Sequence, residues 1–264
     1  MAHYAGAGKG LAMSSRLDFL QVSDLVVEFD GFRALDVNLF SLDRGELRVV
    51  VGPNGAGKTT LCDVISGKTK PTSGKIVLDG QDITRWRDSQ IAGLGVGRKF
   101  QTPSVFDGLT VYENMELALP GRRAWWRTLT GRPTWDQQRG ILRLLDRVHL
   151  RKLAREPARD LSHGQRQWLE IAMLMVSGSR LLLVDEPAAG LTDNETMLTA
   201  ELLNELKGHH TIMVIEHDME FVRRLNSRVT VLCAGKVLAD GSLDHVQNDP
   251  KVREAYLGRG KQGH

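Results

Sequence analysis

The stretch Leu47-Arg48-Val49-Val50-Val51-Gly52-Pro53-Asn54-Gly55-Ala56-Gly57-Lys58-Thr59-Thr60 decides the fold. Its first five residues are apolar except for Arg48, which predicts a strand buried on both faces. The next eight match G-x-x-x-x-G-K-[ST], and residues 59–66 predict a helix after them. Glycines let the backbone turn its N–H groups toward phosphate oxygens with no Cβ in the way. The helix that follows adds unsatisfied donors and its dipole. Lys58 is placed to neutralise the outer phosphates, and the Thr59 hydroxyl to meet a divalent cation.

Working outward, residues 22–29 and 34–42 predict two strands around a turn at Asp30-Gly31, and 75–78 a strand ending at Asp79-Gly80. Apolar strands are expected again at 181–184, 211–215 and 229–233, with helical stretches between them. That alternation implies a parallel sheet covered on both faces. From 111 to 176 the chain reads as helix or irregular, with Ile141, Leu144, Leu145 and Val148 at helical spacing. The expected fold is α/β: a P-loop nucleotide triphosphatase core with an N-terminal antiparallel β region and an inserted helical subdomain.

A P-loop needs a carboxylate for the metal, and Leu181-Leu182-Leu183-Val184-Asp185-Glu186 ends an apolar strand on two. Asp185 is the candidate Mg²⁺ ligand and Glu186 the general base for an attacking water. Three further features complete a pattern: Gln101 in Arg98-Lys99-Phe100-Gln101-Thr102-Pro103, the run Leu161-Ser162-His163-Gly164-Gln165 opening an amphipathic helix, and His217 after the strand 211–215. Ser162, placed before a helix N-terminus, sits where anions bind.

In that order the motifs resemble the ATP-binding cassette (ABC) ATPases over roughly residues 19 to 258. The resemblance implies a RecA-like P-loop core, ATP and Mg²⁺ as cofactors, and ATP hydrolysis. Gly52, Pro53, Asn54, Gly55, Ala56, Gly57, Lys58, Thr59 and Thr60 would bind ATP, with Thr59, Gln101 and Asp185 at the metal and Glu186, His217 and Gln101 catalytic. Ser162, Gly164 and Gln165 would touch the ATP held by a second subunit. Phe29 would stack on adenine; Phe32 is the nearby alternative, and either could be strand core. Asp193 resembles an interface aspartate and reads equally well as the N-cap of the helix 194–206.

The second signature residue is His163 where the family commonly has Gly. Ser-His-Gly-Gln resembles the D-type ATPase subunit of urea importers, as do residues 97–103, 162–174 and 216–223; ATPases of branched-chain amino acid importers are next. The implied function is the ATP-hydrolysing motor of an ABC importer, with urea as solute and branched-chain amino acids, or a short amide, as the alternative. The implied partners are a second ABC ATPase subunit in a heterodimer, two transmembrane permease subunits and, through them, a periplasmic solute-binding protein. Less favoured are a soluble, non-transport ABC ATPase and a non-catalytic ATP-binding regulator.

Composition sets the surroundings. Of 264 residues, 41% are hydrophobic, and 35 Lys+Arg against 32 Asp+Glu leave a net charge of +3. That is too weak for a nucleic-acid partner. No apolar run approaches the roughly 18 residues of a spanning helix. Cys62 and Cys233 offer neither metal spacing nor a disulfide framework, which fits a reducing compartment. The expected location is peripheral, on the cytoplasmic face of the inner membrane. Residues 1–15 are expected to be a flexible leader. A single ATPase domain spans 16–258, its core 16–100 and 178–258 around a helical subdomain 101–177, and 259–264 form a tail. Residues 120–143 carry six Arg against one Asp together with Trp125, Trp126 and Trp135, which suits either a place near the membrane subunits or lipid headgroups or a variable surface loop.

Overall fold

The computed structural model describes residues 18–98, 105–120 and 133–257. The predicted leader, the tail, Gln101 and residues 121–132 of the Arg-rich segment, including Trp125 and Trp126, lie outside them.

The described residues open as a hairpin. Strands β1 (Leu20–Phe29) and β2 (Phe32–Leu42) pair antiparallel from Leu20↔Leu42 to Phe29↔Phe32. Asp30 and Gly31 both take positive φ at the turn, which gives it the twist of the flanking strands. With β4 (Ser73–Leu78) and β5 (Gln81–Asp82) they form a four-stranded sheet ordered β2-β1-β4-β5.

The second sheet has six strands in the order β10-β9-β3-β8-β7-β6. Its centre is β3 (Leu47–Val51), β7 (Leu181–Asp185), β8 (Thr211–Ile215) and β9 (Arg228–Cys233), all parallel. Two edge strands escaped the sequence reading. Strand β6 (Val96–Arg98) is only three residues long, and Gly97 in it is required because a Cβ there would lie 2.4 Å from Ser179 Oγ. Strand β10 (Lys236–Gly241) runs antiparallel to β9 and is half-buried, so it lacks an apolar run.

Helix α1 (Lys58–Ile65) follows β3, α2 (Asp88–Gly93) precedes β6, and the middle of the chain supplies α3 (Val111–Leu117), α4 (Trp135–Arg147) and α5 (His163–Val176). Then come α6 (Asp193–Leu206), α7 (Met219–Leu225), α8 (Leu243–Asn248) and α9 (Pro250–Leu257).

The six-stranded sheet separates two apolar cores. Leu47, Val49, Val51, Leu182 and Val184 point to one, shared with α3, α4, α5, α6 and α7. Val50, Leu181, Leu183, Met213 and Ile215 point to the other, shared with α1, α2 and the four-stranded sheet. The alternation follows from the two-residue period of a strand. Arg48, the lone charge of β3, is 2% exposed and fully partnered. Its Nε donates to Glu46 Oε1 at 2.7 Å, and Nη1 to Thr230 Oγ1 and Asp240 Oδ2, both at 2.9 Å. A buried cation is tolerated only with such partners.

Candidate functional site

Strands β3, β8 and β7 end side by side, with Val50 and Asp185 each in register with Ile215. Ligands of open α/β sheets bind at this carboxyl edge. The loop 52–57 lies there, wedged against its neighbours. A Cβ at Gly52 would sit 2.1 Å from the Leu232 carbonyl oxygen. Gly57 caps α1 at φ 99°, and a Cβ on it would meet Leu35 Cδ2 at 2.7 Å and the Ala34 carbonyl oxygen at 2.8 Å. Both glycines are therefore steric requirements of the loop.

Lys58 is buried and folds back into the loop, its Nζ donating to the carbonyl oxygens of Gly52 at 2.8 Å and Pro53 at 3.1 Å. Burial lowers its pKa, and the nearby carboxylates of Glu186 and Asp185 oppose that shift. Thr59 beside it is exposed and Thr60 half-buried.

Asp185 ends β7. Burial, and then the charge of Glu186, raise its pKa, while Arg98 and Lys58 pull the other way. Its Oδ2 is buried without a hydrogen-bond partner. An orphaned carboxylate oxygen near Lys58, with the exposed Thr59 next to that lysine in the chain, fits Mg²⁺, a cation that takes one or two protein oxygens and completes its shell with phosphate and water. Among the described residues there is no group of three or more His, Cys, Asp or Glu that would hold a metal without such help.

Glu186 adopts a left-handed backbone, φ 47°, fixed by its N–H donating to Ile215 O at 2.9 Å and its carbonyl accepting from Ala189 N at 3.2 Å. Strain of this kind concentrates at functional sites. His217 brings Nδ1 to 3.4 Å from Glu186 Oε1. Both side chains are solvent-accessible, His217 at 61% and Glu186 at 48%.

Beneath them lies a residue the sequence reading passed over. Glu216 is 1% exposed; its Oε1 accepts the Ala188 N–H at 3.0 Å, and its Oε2 accepts the N–H groups of His217 at 2.9 Å and Asp218 at 3.3 Å. One buried carboxylate thus pins the loop after β7 to the loop after β8. The available signal was a charged residue directly continuing an apolar strand.

Ser162 is the N-cap of α5. Its Oγ accepts the Gln165 N–H at 3.2 Å while Gln165 Oε1 accepts the Ser162 N–H at 3.0 Å, a reciprocal capping box. Gly164 is buried against Glu195 of α6. His163 reaches across to the loop after β7, with Nε2 at 3.1 Å from both Ala189 O and Gln167 Nε2. Asp193 is exposed and is not a cap: Thr192, extended at φ −71° and ψ 161°, caps α6 by accepting the Glu195 N–H. The shift by one residue arises because Thr192 has its Glu partner three residues on, completing the box.

Phe29 and Phe32 face each other across the hairpin end and are 47% and 69% exposed, so neither is strand core. Arg98, another residue the sequence left without a role, is buried at the end of β6, paired with Asp63 of α1 and donating to Ser66 Oγ at 3.1 Å. It ties α1 to the strand that leads toward Gln101.

Comparison with known proteins bears on this arrangement. The family model described as ABC transporter matches residues 35–189, and one described as branched-chain amino acid ATP-binding cassette transporter matches residues 236–261. The high-affinity branched-chain amino acid transport ATP-binding protein LivG of Escherichia coli (strain K12) is 37% identical over 257 residues, covering 90% of this chain and 97% of that one. The high-affinity branched-chain amino acid transport ATP-binding protein BraF of Pseudomonas aeruginosa is 35% identical, with the same coverage. A nucleotide-free ATP-binding cassette from an ABC transporter superposes with a TM-score of 0.79 at 28% identity, covering 91% of this chain and 99% of that one. A cassette in its ADP conformation gives the same score and identity over 92% and 99%.

Proposed function

The chain belongs to the ABC transporter ATPase family, and from that membership we propose that it is the ATP-hydrolysing motor of an importer of branched-chain amino acids. The observation that carries the ATPase assignment is the convergence of Lys58, Asp185, Glu186 and His217 at one sheet edge. The solute rests on the branched-chain transport names of its relatives and on the match at 236–261, which weigh more than the Ser-His-Gly-Gln resemblance that pointed to urea. His163 and the stretches 97–103, 162–174 and 216–223 favour urea, and uptake experiments separate the two.

In this reading the N–H groups of residues 52–57 and Lys58 bind the phosphates, Thr59 and Asp185 hold Mg²⁺, and Glu186 takes the proton of the attacking water. Bound Mg²⁺ would supply charge neutralisation on the phosphates. His217 orients against Glu186 and the terminal phosphate, and Phe29 offers a π-face to the base. Gln101 and Asp193 keep their proposed places at the metal and the subunit interface. A second ATPase subunit presents its own phosphates to Ser162, Gly164 and Gln165, so the nucleotide is closed between two chains. Among the described residues no helix is long and apolar enough to cross a membrane, so transport requires separate permease subunits. The working place is the membrane's cytoplasmic face.

Deletion of the gene, followed by uptake assays with labelled leucine and labelled urea, tests the reading. Loss of leucine uptake, restored by the wild-type chain and not by Glu186→Gln, is the expected result. Loss of urea uptake alone would replace the solute while keeping the motor, and intact uptake of both would overturn the importer reading.

A further inference from the structure

Ser162, the residue proposed above to meet a partner's phosphate, is already engaged. Its Oγ accepts the Gln165 N–H and donates to Glu195 Oε1 at 3.0 Å. A serine hydroxyl has one proton to give, and here it is given to a carboxylate of the same chain. The other carboxylate oxygen, Oε2, accepts the Thr192 N–H at 3.1 Å and the Thr192 hydroxyl at 2.9 Å. These bonds keep Glu195 ionised, its pKa lowered first by the backbone and side chain of Thr192 and further by Ser162 and His163.

The carboxylate also fills the space in front of the turn. A Cβ built on Gly164 would lie 2.6 Å from both Cδ and Oε1 of Glu195. The clasp is braced behind: Thr199 Oγ1 donates to the Glu195 carbonyl oxygen at 2.7 Å and accepts from Trp168 Nε1 of α5 at 2.9 Å. Glu195 is thus held in place by both helices.

We propose that Glu195 gates the phosphate-receiving turn: in the single chain its carboxylate occupies the place of a phosphate oxygen, and it must swing away before Ser162 donates to the nucleotide held by a second subunit. This rests on the reading of Ser162 given above. Two anions cannot share one donor set without repulsion. A terminal phosphate competes for the Ser162 proton, whereas a nucleotide that has lost it offers no competitor, so the clasp re-forms once hydrolysis is complete. Glu195 is a positioning residue in this scheme, since it acts on the nucleotide only through Ser162.

The test is ATP-driven pairing, followed by sedimentation in a Glu186→Gln background that keeps the nucleotide uncleaved. Glu195→Gln preserves the reciprocal cap of α6, because Gln serves at that position, yet removes the charge. It is expected to lower the ATP concentration for half-maximal pairing about tenfold, the scale of one charge-assisted hydrogen bond that no longer has to break. Glu195→Asp, which keeps cap and charge but withdraws the carboxylate, should shift it part of the way. In a Ser162→Ala background neither change should move the half-point, an outcome that loss of helix stability alone would not produce. A half-point unchanged or raised in Glu195→Gln, with Ser162→Ala weakening pairing, overturns the gate and leaves the Ser162 reading standing. Unaltered pairing in Ser162→Ala overturns both. If the chain does not pair with itself, the same titrations are made on the pair it forms with its co-purified ATPase subunit.

Discussion

The Nδ1 atom of His217 stands 3.4 Å from Oε1 of Glu186, although the two residues leave different strands of the sheet. The approach is set from below by Glu216, which takes backbone N–H groups from both loops. The left-handed backbone of Glu186 and the neighbouring imidazole orient the proposed base before substrate arrives. Replacing Glu186 with Gln should leave ATP binding intact and slow hydrolysis by about 10²–10⁴-fold, the usual contribution of a general base. Single-turnover hydrolysis alongside equilibrium nucleotide binding separates the two effects.

Glu216 should matter for stability as well as rate. Glu216→Ala strands the N–H groups of Ala188 and His217, each costing about 1–3 kcal/mol when buried unpaired. Glu216→Gln keeps one acceptor oxygen and should cost about half as much. Denaturant unfolding measures the difference, and hydrolysis should fall in the same order because the loops that carry Glu186 and His217 both loosen.

Asp185 makes the opposite prediction. Its pKa is raised in the folded chain, so the fold binds its proton more tightly than the unfolded chain does. The stability associated with this group is present below the ordinary carboxylate pKa of about 4 and is lost as pH rises through the folded value. Above that value the ionised group weighs against the metal-free fold. Asp185→Asn should therefore raise the melting temperature at neutral pH by about 2–4 °C or less, partial solvation limiting the effect to about 1 kcal/mol. The same variant should lose the stabilisation that Mg²⁺ with ATP gives the wild type, as thermal melts with and without the metal would report.

Asn114 anchors the helical insert. Its Oδ1 accepts the Phe106 N–H at 2.8 Å, and Nδ2 donates to the carbonyl oxygens of Phe106 at 3.1 Å and Thr110 at 3.0 Å, all from a fully buried position. Asn114→Leu should cost about 1–3 kcal/mol through unpaired backbone groups. Hydrogen exchange should show the loss in residues 105–117 first, with α1 still protected.

The strands and helices that bury long apolar faces were legible in the sequence, because period and length carry that signal. So were the positions of Gly52, Gly57, Lys58, Asp185 and Glu186, which the tight loop after β3 and the end of β7 impose. Glu216, Arg98, Arg48 and Glu195 were not. Each is a charged residue whose role comes from partners distant in the chain: Arg48 is satisfied by Thr230 and Asp240, and Ser162 by Glu195. Asp193 looked like a cap because any Asp before a helix does, and only the Thr192–Glu195 pair shows which residue closes it. The solute is not legible in the site for a related reason. His163 binds Ala189 and Gln167 within its own chain, and nothing in that contact reads a transported molecule.

The six-stranded sheet is a party wall between two apolar rooms, with α1 furnishing one and α3, α4 and α5 the other. A chimera that exchanges the middle helices for those of another cassette therefore has to match only the residues on its own side, such as Val111, Met115, Ile141 and Leu145. The phosphate loop, packed on Leu35 and Leu232 across the wall, need not be redesigned. Such grafts would refit that room while leaving Lys58 and Asp185 in place, provided that the turn Ser162–Gln165 at the start of α5 is kept.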